Sequence, residues 1–312
     1  MKSTLSLQKT LNLFQITVTQ FRSWSRNRVC VSSAYALCRR IYFNQLTETE
    51  VRIIKKQLTN PEYIHWPLSA LYYKLLREGK AFFSLGTFYK YAKLLNLSKL
   101  HKPIRKIKYK IGIRAEKPFQ ILHMDITELR VLDGTRIYIS LIIDNFSRCI
   151  LAAKASLTKS SAFAVENLME AVRNYNLFDI NESIQLLVDG GSENKGKVDD
   201  FLNQPKSKIK KLVALLDVLF SNSMIEAVNK IIKYDYLFWF RPRNFEHLVE
   251  MLPQVVHSYI NRPHSKLYGY TPVEVLAGAI PDKHLFSADI KNAVIKRINS
   301  NVNGICDKCI TA

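Results

Sequence analysis

At 312 residues the chain is long enough for one sizeable core with a smaller appendage, and its 47% hydrophobic and 23% charged content is that of a folded protein. No run approaches the ~20 apolar residues that span a bilayer, and no basic start leading into an apolar stretch marks an export signal. A net charge of +20 points to a polyanionic partner and is segregated: residues 1–118 hold 23 Lys and Arg against 5 Asp and Glu, the remainder 23 against 21.

Five dispersed cysteines (Cys30, Cys38, Cys149, Cys306, Cys309) do not read as a disulfide framework, and a reducing cytoplasm is the expected setting. The Cys306–Cys309 pair has no second ligand pair nearby and reads as part of a C-terminal tail rather than a zinc site.

Along the basic third, two helix-turn-helix candidates appear. The first runs from Leu5 to Arg26, with Leu7, Leu11 and Leu13 leading to a turn near Gln15. Thr17 can cap its second helix, which carries Phe21 and Trp24. A further helix is expected over 45–58 with Thr47 at its start. The second pair is better marked. Pro67 suits a helix start, Leu68, Leu71, Tyr72 and Leu75 have helical spacing, and Gly79 can end it. Ser84 can then cap a helix containing Phe88, Tyr89, Tyr91, Ala92 and Leu95. Lys90 and Lys93 fall on that helix's outer side, where a second helix of this kind meets DNA. These elements make residues 1–98 a helical DNA-binding region. Residues 99–117 read as a basic linker, rich in Lys and Arg, with Pro103 inside it and Pro118 just after it.

After the linker the pattern turns to strands. Residues 119–127 alternate, 136–143 are rich in Ile and Tyr, and Asp133-Gly134 between them signals a hairpin. A strand over 150–156, a helix over 160–175, a strand over 184–188, a helix near 197–203, a strand near 211–215 and a helix from Ser223 complete a β-β-β-α-β-α-β-α order. Three antiparallel strands followed by βα units predict an α/β fold, a mixed sheet with helices on both faces.

Three acidic residues stand out by position. Asp125 lies inside an apolar strand, Asp189 closes the fourth strand, and Glu226 sits in the first turn of the late helix. A charge inside an apolar strand is costly unless paired or bound to metal, and strand C-termini gather ligand groups in α/β sheets. On the late helix Ile225, Val228 and Ile232 form the buried stripe, whereas Glu226, Lys230 and Lys233 share another face. Each also has a plainer reading: Ser223 and Glu226 suit a capping box, and Asp189 before two glycines suits a turn.

Together these residues resemble the DDE-class insertion-sequence transposases with a retroviral-integrase-like catalytic core. The matching segments are His123-Met-Asp-Ile-Thr127, Val188-Asp-Gly-Gly-Ser-Glu-Asn194, and Phe220-Ser-Asn-Ser-Met-Ile-Glu226, followed by Lys233 seven positions on. Further matches are Leu141-Ile-Ile-Asp-Asn-Phe-Ser-Arg148 and Tyr259-Ile-Asn-Arg-Pro-His264, leading to Gly269-Tyr-Thr-Pro-Val-Glu274. Between Asp189 and Glu226 lie 36 residues, against about 35 in the family. Gly190 departs from the family's usual Asn.

The resemblance covers residues 5–280. It implies an RNase H-like five-stranded core over 118–280, a tail over 281–312, and two Mg²⁺ ions, replaceable by Mn²⁺, bound by the catalytic Asp125, Asp189 and Glu226. Lys230 and Lys233 would position phosphate. The implied activity is DNA cleavage and strand transfer, acting on the element's terminal repeats and on target DNA. A homo-oligomer on DNA, no membrane association and a cytoplasmic, nucleoid-associated prokaryotic setting go with it. His123 is expected to support the site, Asp144 to be a turn residue, Glu193 to sit near the site's mouth, and the segment 261–264 to be a helix terminus packed under the core. Retroviral integrase proper would carry an N-terminal zinc module, whose paired spacing His65, His101, Cys30 and Cys38 lack. A ribonuclease H would lack the Glu-plus-Lys helix. The remaining alternative is a catalytically inactive, transposase-derived DNA-binding regulator.

Overall fold

The computed structural model describes residues 6–26, 43–98, 112–214, 216–218 and 221–302. Most of the basic linker, Cys30, Cys38, Phe220 and the Cys306–Cys309 pair lie outside the described residues. The chain divides into two compact units, residues 1–51 with 291–312, and residues 52–290.

In the smaller unit, helices α1 (Leu7–Leu13) and α2 (Val18–Arg26) flank a turn with Gln15 at φ 54°. Thr17 and Gln20 cap α2 reciprocally: Thr17 Oγ1 accepts from the Gln20 amide, and Gln20 Oε1 accepts from the Thr17 amide. Helix α3 (Glu48–Leu58) starts at Thr47 through the same device with Glu50. Arg297 is buried against that start, with a bidentate pair to Glu50 (Nη2 to Oε1 2.8 Å, Nε to Oε2 3.0 Å) and a bond to Asn44. Arg297 belongs to a helix, Ser287–Val302, that occupies much of the expected tail.

The larger unit contains the second helix pair, α4 (Leu68–Arg77) and α5 (Leu85–Leu94). Gly79 at φ 63° ends α4 in the left-handed conformation that only glycine adopts without strain. Ser84 caps α5 by accepting from the Thr87 amide at 3.1 Å. Pro67 lies one position earlier than the sequence suggests: it is the cap residue of α4 itself, extended at ψ 148°, and contributes no side-chain acceptor. Lys90 and Lys93 are exposed on α5.

The core of this unit is a five-stranded sheet of β1 (Ile121–Arg130), β2 (Arg136–Asp144), β3 (Ile150–Ser156), β4 (Ile184–Val188) and β5 (Ile209–Val213), in the order β3-β2-β1-β4-β5. The first three strands are antiparallel, and β4 and β5 run parallel to β1. These are the strand order and directions of an RNase H-like core. β1 continues three residues past its expected end because the hairpin ladder runs on to Arg130 opposite Arg136, closed by Gly134 at φ 87°. β5 begins two residues earlier than expected, where Ile209 pairs with Ile184.

Alternation splits β1 between two cores. Leu122, Met124 and Ile126 pack under α6 (Ser161–Tyr175) and α7 (Lys197–Leu202). The opposite face packs Leu141, Ile143 and Leu129 under α8 (Ser223–Ile231). Helix α8 continues as a π-helical turn, Ile232–Leu237, into the short α9 (Phe238–Phe240). Helix α10 (Phe245–Asn261) covers the same face. Each fully buried Leu or Ile contributes ~1.5–3 kcal/mol, so the sheet is secured from both sides. Downstream, α11 (Pro272–Leu276) and α12 (Ser287–Val302) follow. Among the described residues no helix is long and apolar enough to cross a membrane.

Candidate active site

The odd-numbered residues of β1, His123, Asp125 and Thr127, face α8. In the parallel ladder His123 lies opposite Leu187. Two residues on, Asp125 in β1 comes near Asp189, which directly follows the end of β4. The consequence is electrostatic. Burial, then the charge of Asp189, with a smaller share from Glu193, push the Asp125 carboxyl up to about 6.

Helix α8 approaches this pair through Asn229, whose Nδ2 donates to Asp125 Oδ2 at 2.7 Å. The other carboxylate oxygen accepts the Ile126 amide at 2.9 Å. Asn229 is almost fully buried, and its amide oxygen has no partner, so an orphaned acceptor stands beside the carboxylates. Lys233, one turn further along, is half-buried. Burial pulls its ammonium down, partly offset by attraction to Asp125 and Glu128. Glu226 is half-buried one turn before Asn229, and Lys230 is exposed.

The capping box suggested for Ser223 and Glu226 does not form. Asn222 is the cap residue, and its side chain is used elsewhere. Asn222 Oδ1 takes a hydrogen bond from His123 Nδ1 at 2.7 Å, and its Nδ2 donates to the Met124 carbonyl at 3.2 Å. On the far side of the ring, Asn145 Nδ2 donates to His123 Nε2 at 2.8 Å. Asn145 also binds the Ala115 amide and the Ile113 carbonyl. This buried chain joins the end of the linker segment, β1 and the start of α8, and it fixes a neutral imidazole; burial holds His123 down at about 4. Expected to support the site, His123 does so through Asn222 and Asn145.

Asp144 does more than end a turn. It is fully buried and its carboxylate accepts the amides of Phe119 (2.8 Å) and Ser147 (2.7 Å) and the Ser147 hydroxyl (2.6 Å). Glu193 folds back beneath the loop after β4 and pairs with Lys159 at 2.8 Å. A Cβ at Gly191 would run into that carboxylate, so a side chain there would displace the end of Glu193. At Gly190 an added Cβ would make only ordinary contacts with Leu216 (3.6 Å) and Val213 (3.8 Å).

The structure therefore brings Asp125 and Asp189 together, with Asn229 and Lys233 beside Asp125. Among the described residues no group of three His, Cys, Asp or Glu side chains is gathered to hold a metal ion, so Glu226 does not complete such a set with the pair. The donor chemistry nonetheless fits a hard divalent cation. Two facing carboxylates carry a surplus of negative charge, and an unused amide oxygen lies next to them. Asn229, Asn222 and Lys159 were missed in the sequence; the one available signal was a buried polar residue three positions after Glu226 on an otherwise apolar helix face.

No protein-family model matches the chain, and no curated protein does. Among solved structures, it is similar to the simian T-cell lymphotropic virus intasome in complex with PP2A regulatory subunit B56 gamma, at 15% identity and a TM-score of 0.45, over 72% of this chain and 77% of that one. It is also similar to the catalytic core domain of BIV integrase, at 14% identity and a TM-score of 0.38, over 51% of this chain and 94% of that one. Likeness at this level carries no statement about activity.

Proposed function

We propose that the chain is a DNA transposase of the DDE class, performing metal-dependent strand cleavage and strand transfer. The observation that carries this reading is the Asp125–Asp189 pair, one inside β1 and the other just past the end of the parallel β4, braced by Asn229 from the helix that also bears Glu226 and Lys233. Asp125 and Asp189 would hold a divalent cation, with Glu226 turning in from α8. Bound there, Mg²⁺ or Mn²⁺ supplies Lewis acidity to a scissile phosphate and acidifies an attacking water or 3′-hydroxyl. Asn229 and the Ile126 amide fix the direction in which the Asp125 oxygens point. Lys233 and Lys230 offer ammonium groups to flanking phosphates, which positions a strand without reading its sequence. Lys90 and Lys93 on α5 and the basic N-terminal third are assigned to recognition of the element's ends, and the working form is a homo-oligomer on DNA.

The test is nicking of supercoiled plasmid in Mn²⁺ by the full chain. The wild type nicks, and Asp125→Asn and Glu226→Gln do not, while DNA affinity stays within about threefold. Equal loss of nicking and binding in these variants contradicts the assigned roles. One observation favours a second reading, a catalytically inactive transposase-derived DNA-binding regulator: the three acids are not preassembled as a metal set among the described residues. That reading predicts DNA binding without metal-dependent nicking in the wild type.

A further inference from the structure

The segment Asn261-Arg-Pro-His264, expected only to pack under the core, forms one wall of a cavity of about 300 Å³, at the small end of ligand pockets. The cavity also reaches the opening turn of α4, Pro67 to Ala70, and the Ala227 and Ile231 side of α8. Its charge is one-sided: Arg148, Arg262 and Lys266 line it against the single carboxylate of Asp235.

Arg262 is 2% exposed, and its ion pairing among the described residues is one long contact, Nη1 to Asp235 Oδ2 at 3.3 Å. Its Nε is buried with no partner. The guanidinium lies over the rings of Tyr236 and Tyr259, 5.3 and 5.4 Å from their centroids, which hold its plane and leave Nε unsatisfied. The Arg148 guanidinium makes no hydrogen bond or ion pair among the described residues, and burial pulls it below its usual range. His264 is held neutral, at about 3, by burial and by Arg148, Arg262 and Lys266. At the α4 end, the amides of Leu68 and Ser69 are the orphan donors of a ten-residue helix whose cap, Pro67, supplies no acceptor. An uncapped helix N-terminus, two arginines with unused donors and an exposed lysine around one small cavity form an oxyanion site.

We propose that this cavity binds one phosphate group, and that its occupant is a backbone phosphate of the DNA strand on which the carboxylates act. The choice of DNA rests on the function proposed above; the phosphate chemistry does not. Helix α8 presents Asn229 to Asp125 on one flank and Ala227 and Ile231 to the cavity on another, so the two sites lie about one helix diameter apart, ~10 Å. That separation is about three nucleotides of one strand at 3.4 Å each, so a single strand can engage both.

Two arms test this with the full chain, each using Lys266→Ala and Ser69→Glu. Lys266 is exposed, and a glutamate at the second position of α4 favours the helix while placing a carboxylate where the phosphate would sit. In the first arm, inorganic phosphate is titrated by calorimetry and thermal shift. The wild type is stabilised, Lys266→Ala binds about tenfold more weakly, and Ser69→Glu melts higher without phosphate and gains nothing from it. In the second, a DNA duplex is titrated across salt concentrations, and Lys266→Ala lowers the slope of log affinity against log salt by about 0.9. Unchanged phosphate binding in both variants overturns the site. Phosphate binding lost with an unchanged DNA slope overturns the DNA occupant and assigns the cavity to a free phosphate compound. Neither arm reads strand cleavage, so loss of nicking in Asp125→Asn leaves this test intact.

Discussion

The two flanks of α8 face opposite charge imbalances. On one side Asp125 and Asp189 lie close together with Glu193 nearby, faced by the cations of Lys159 and Lys233. On the other, Arg148, Arg262 and Lys266 surround a cavity with one carboxylate. A fold optimised for stability alone would cancel such charges or replace them with apolar groups. Both imbalances have instead been kept, at opposite sign, on a single helix. A cation-seeking site beside an anion-seeking one is what a protein handling a metal and a phosphate chain requires, and each imbalance can be removed separately.

The largest expected effect is on the acidic flank. Asp125→Asn is expected to lower Mn²⁺-dependent nicking by about three orders of magnitude or more, ~4 kcal/mol in the barrier. The same change relieves carboxylate repulsion, so the metal-free variant should be more stable than wild type at pH 8 by ~1–2 kcal/mol in urea denaturation. A variant both inactive and destabilised would mean that Asp125 is structural.

On the cationic flank, Arg262→Ala removes the partner of Asp235 and the plate between two tyrosines, and a loss of ~3 kcal/mol is expected. Lys266→Ala, on the same cavity but exposed, should stay within ~0.5 kcal/mol. Equal effects would erase the distinction between the cavity's framework and its rim.

Asn229→Ala frees one oxygen of Asp125. Nicking should fall about tenfold to a hundredfold, ~1–3 kcal/mol, with DNA affinity unchanged. Asn229→Asp would add a third charge and should lift the titration of Asp125 still higher, read by NMR of its side chain.

The smallest effect distinguishes the flanks by pH. His123 and His264 lie below their unfolded values. Their stabilisation is complete above about pH 6.5 and is lost as pH falls toward about 4 and about 3 respectively. Asp125 lies above its unfolded value, so its contribution is complete below ~4 and lost as pH rises to about 6. Mn²⁺ should therefore raise the melting temperature at pH 8 and leave it unchanged at pH 4. A metal response of equal size at both values would place the ion away from Asp125.

The sheet was largely legible because its strands carry their signals locally. Asp133-Gly134 marks the hairpin, the turn at 144–148 sets the start of β3, and β4 is a compact apolar run. Asp125 and Asp189 were legible as well, one as a charge in an apolar strand and one at a strand end, and the register then explains why they meet. What the sequence did not reveal depends on long-range pairing. Asn222 looks like an ordinary helix cap until His123, 99 positions away, takes its side chain. Arg148 follows a turn, Arg262 ends a helix and Pro67 starts one; only the packing of α4 and α10 around α8 brings them to one cavity. Capping logic also misled at Ser223, since the local box lost to a buried hydrogen-bond chain.

Mn²⁺ binding to the metal-free protein, located by anomalous diffraction and measured by calorimetry in wild type and Asp125→Asn, tests the central claim most directly. The account predicts ion density between Asp125 and Asp189 with Glu226 drawn into its shell, and binding abolished by the substitution. Carboxylates that bind no ion at millimolar Mn²⁺, or binding that survives Asp125→Asn unchanged, would contradict it.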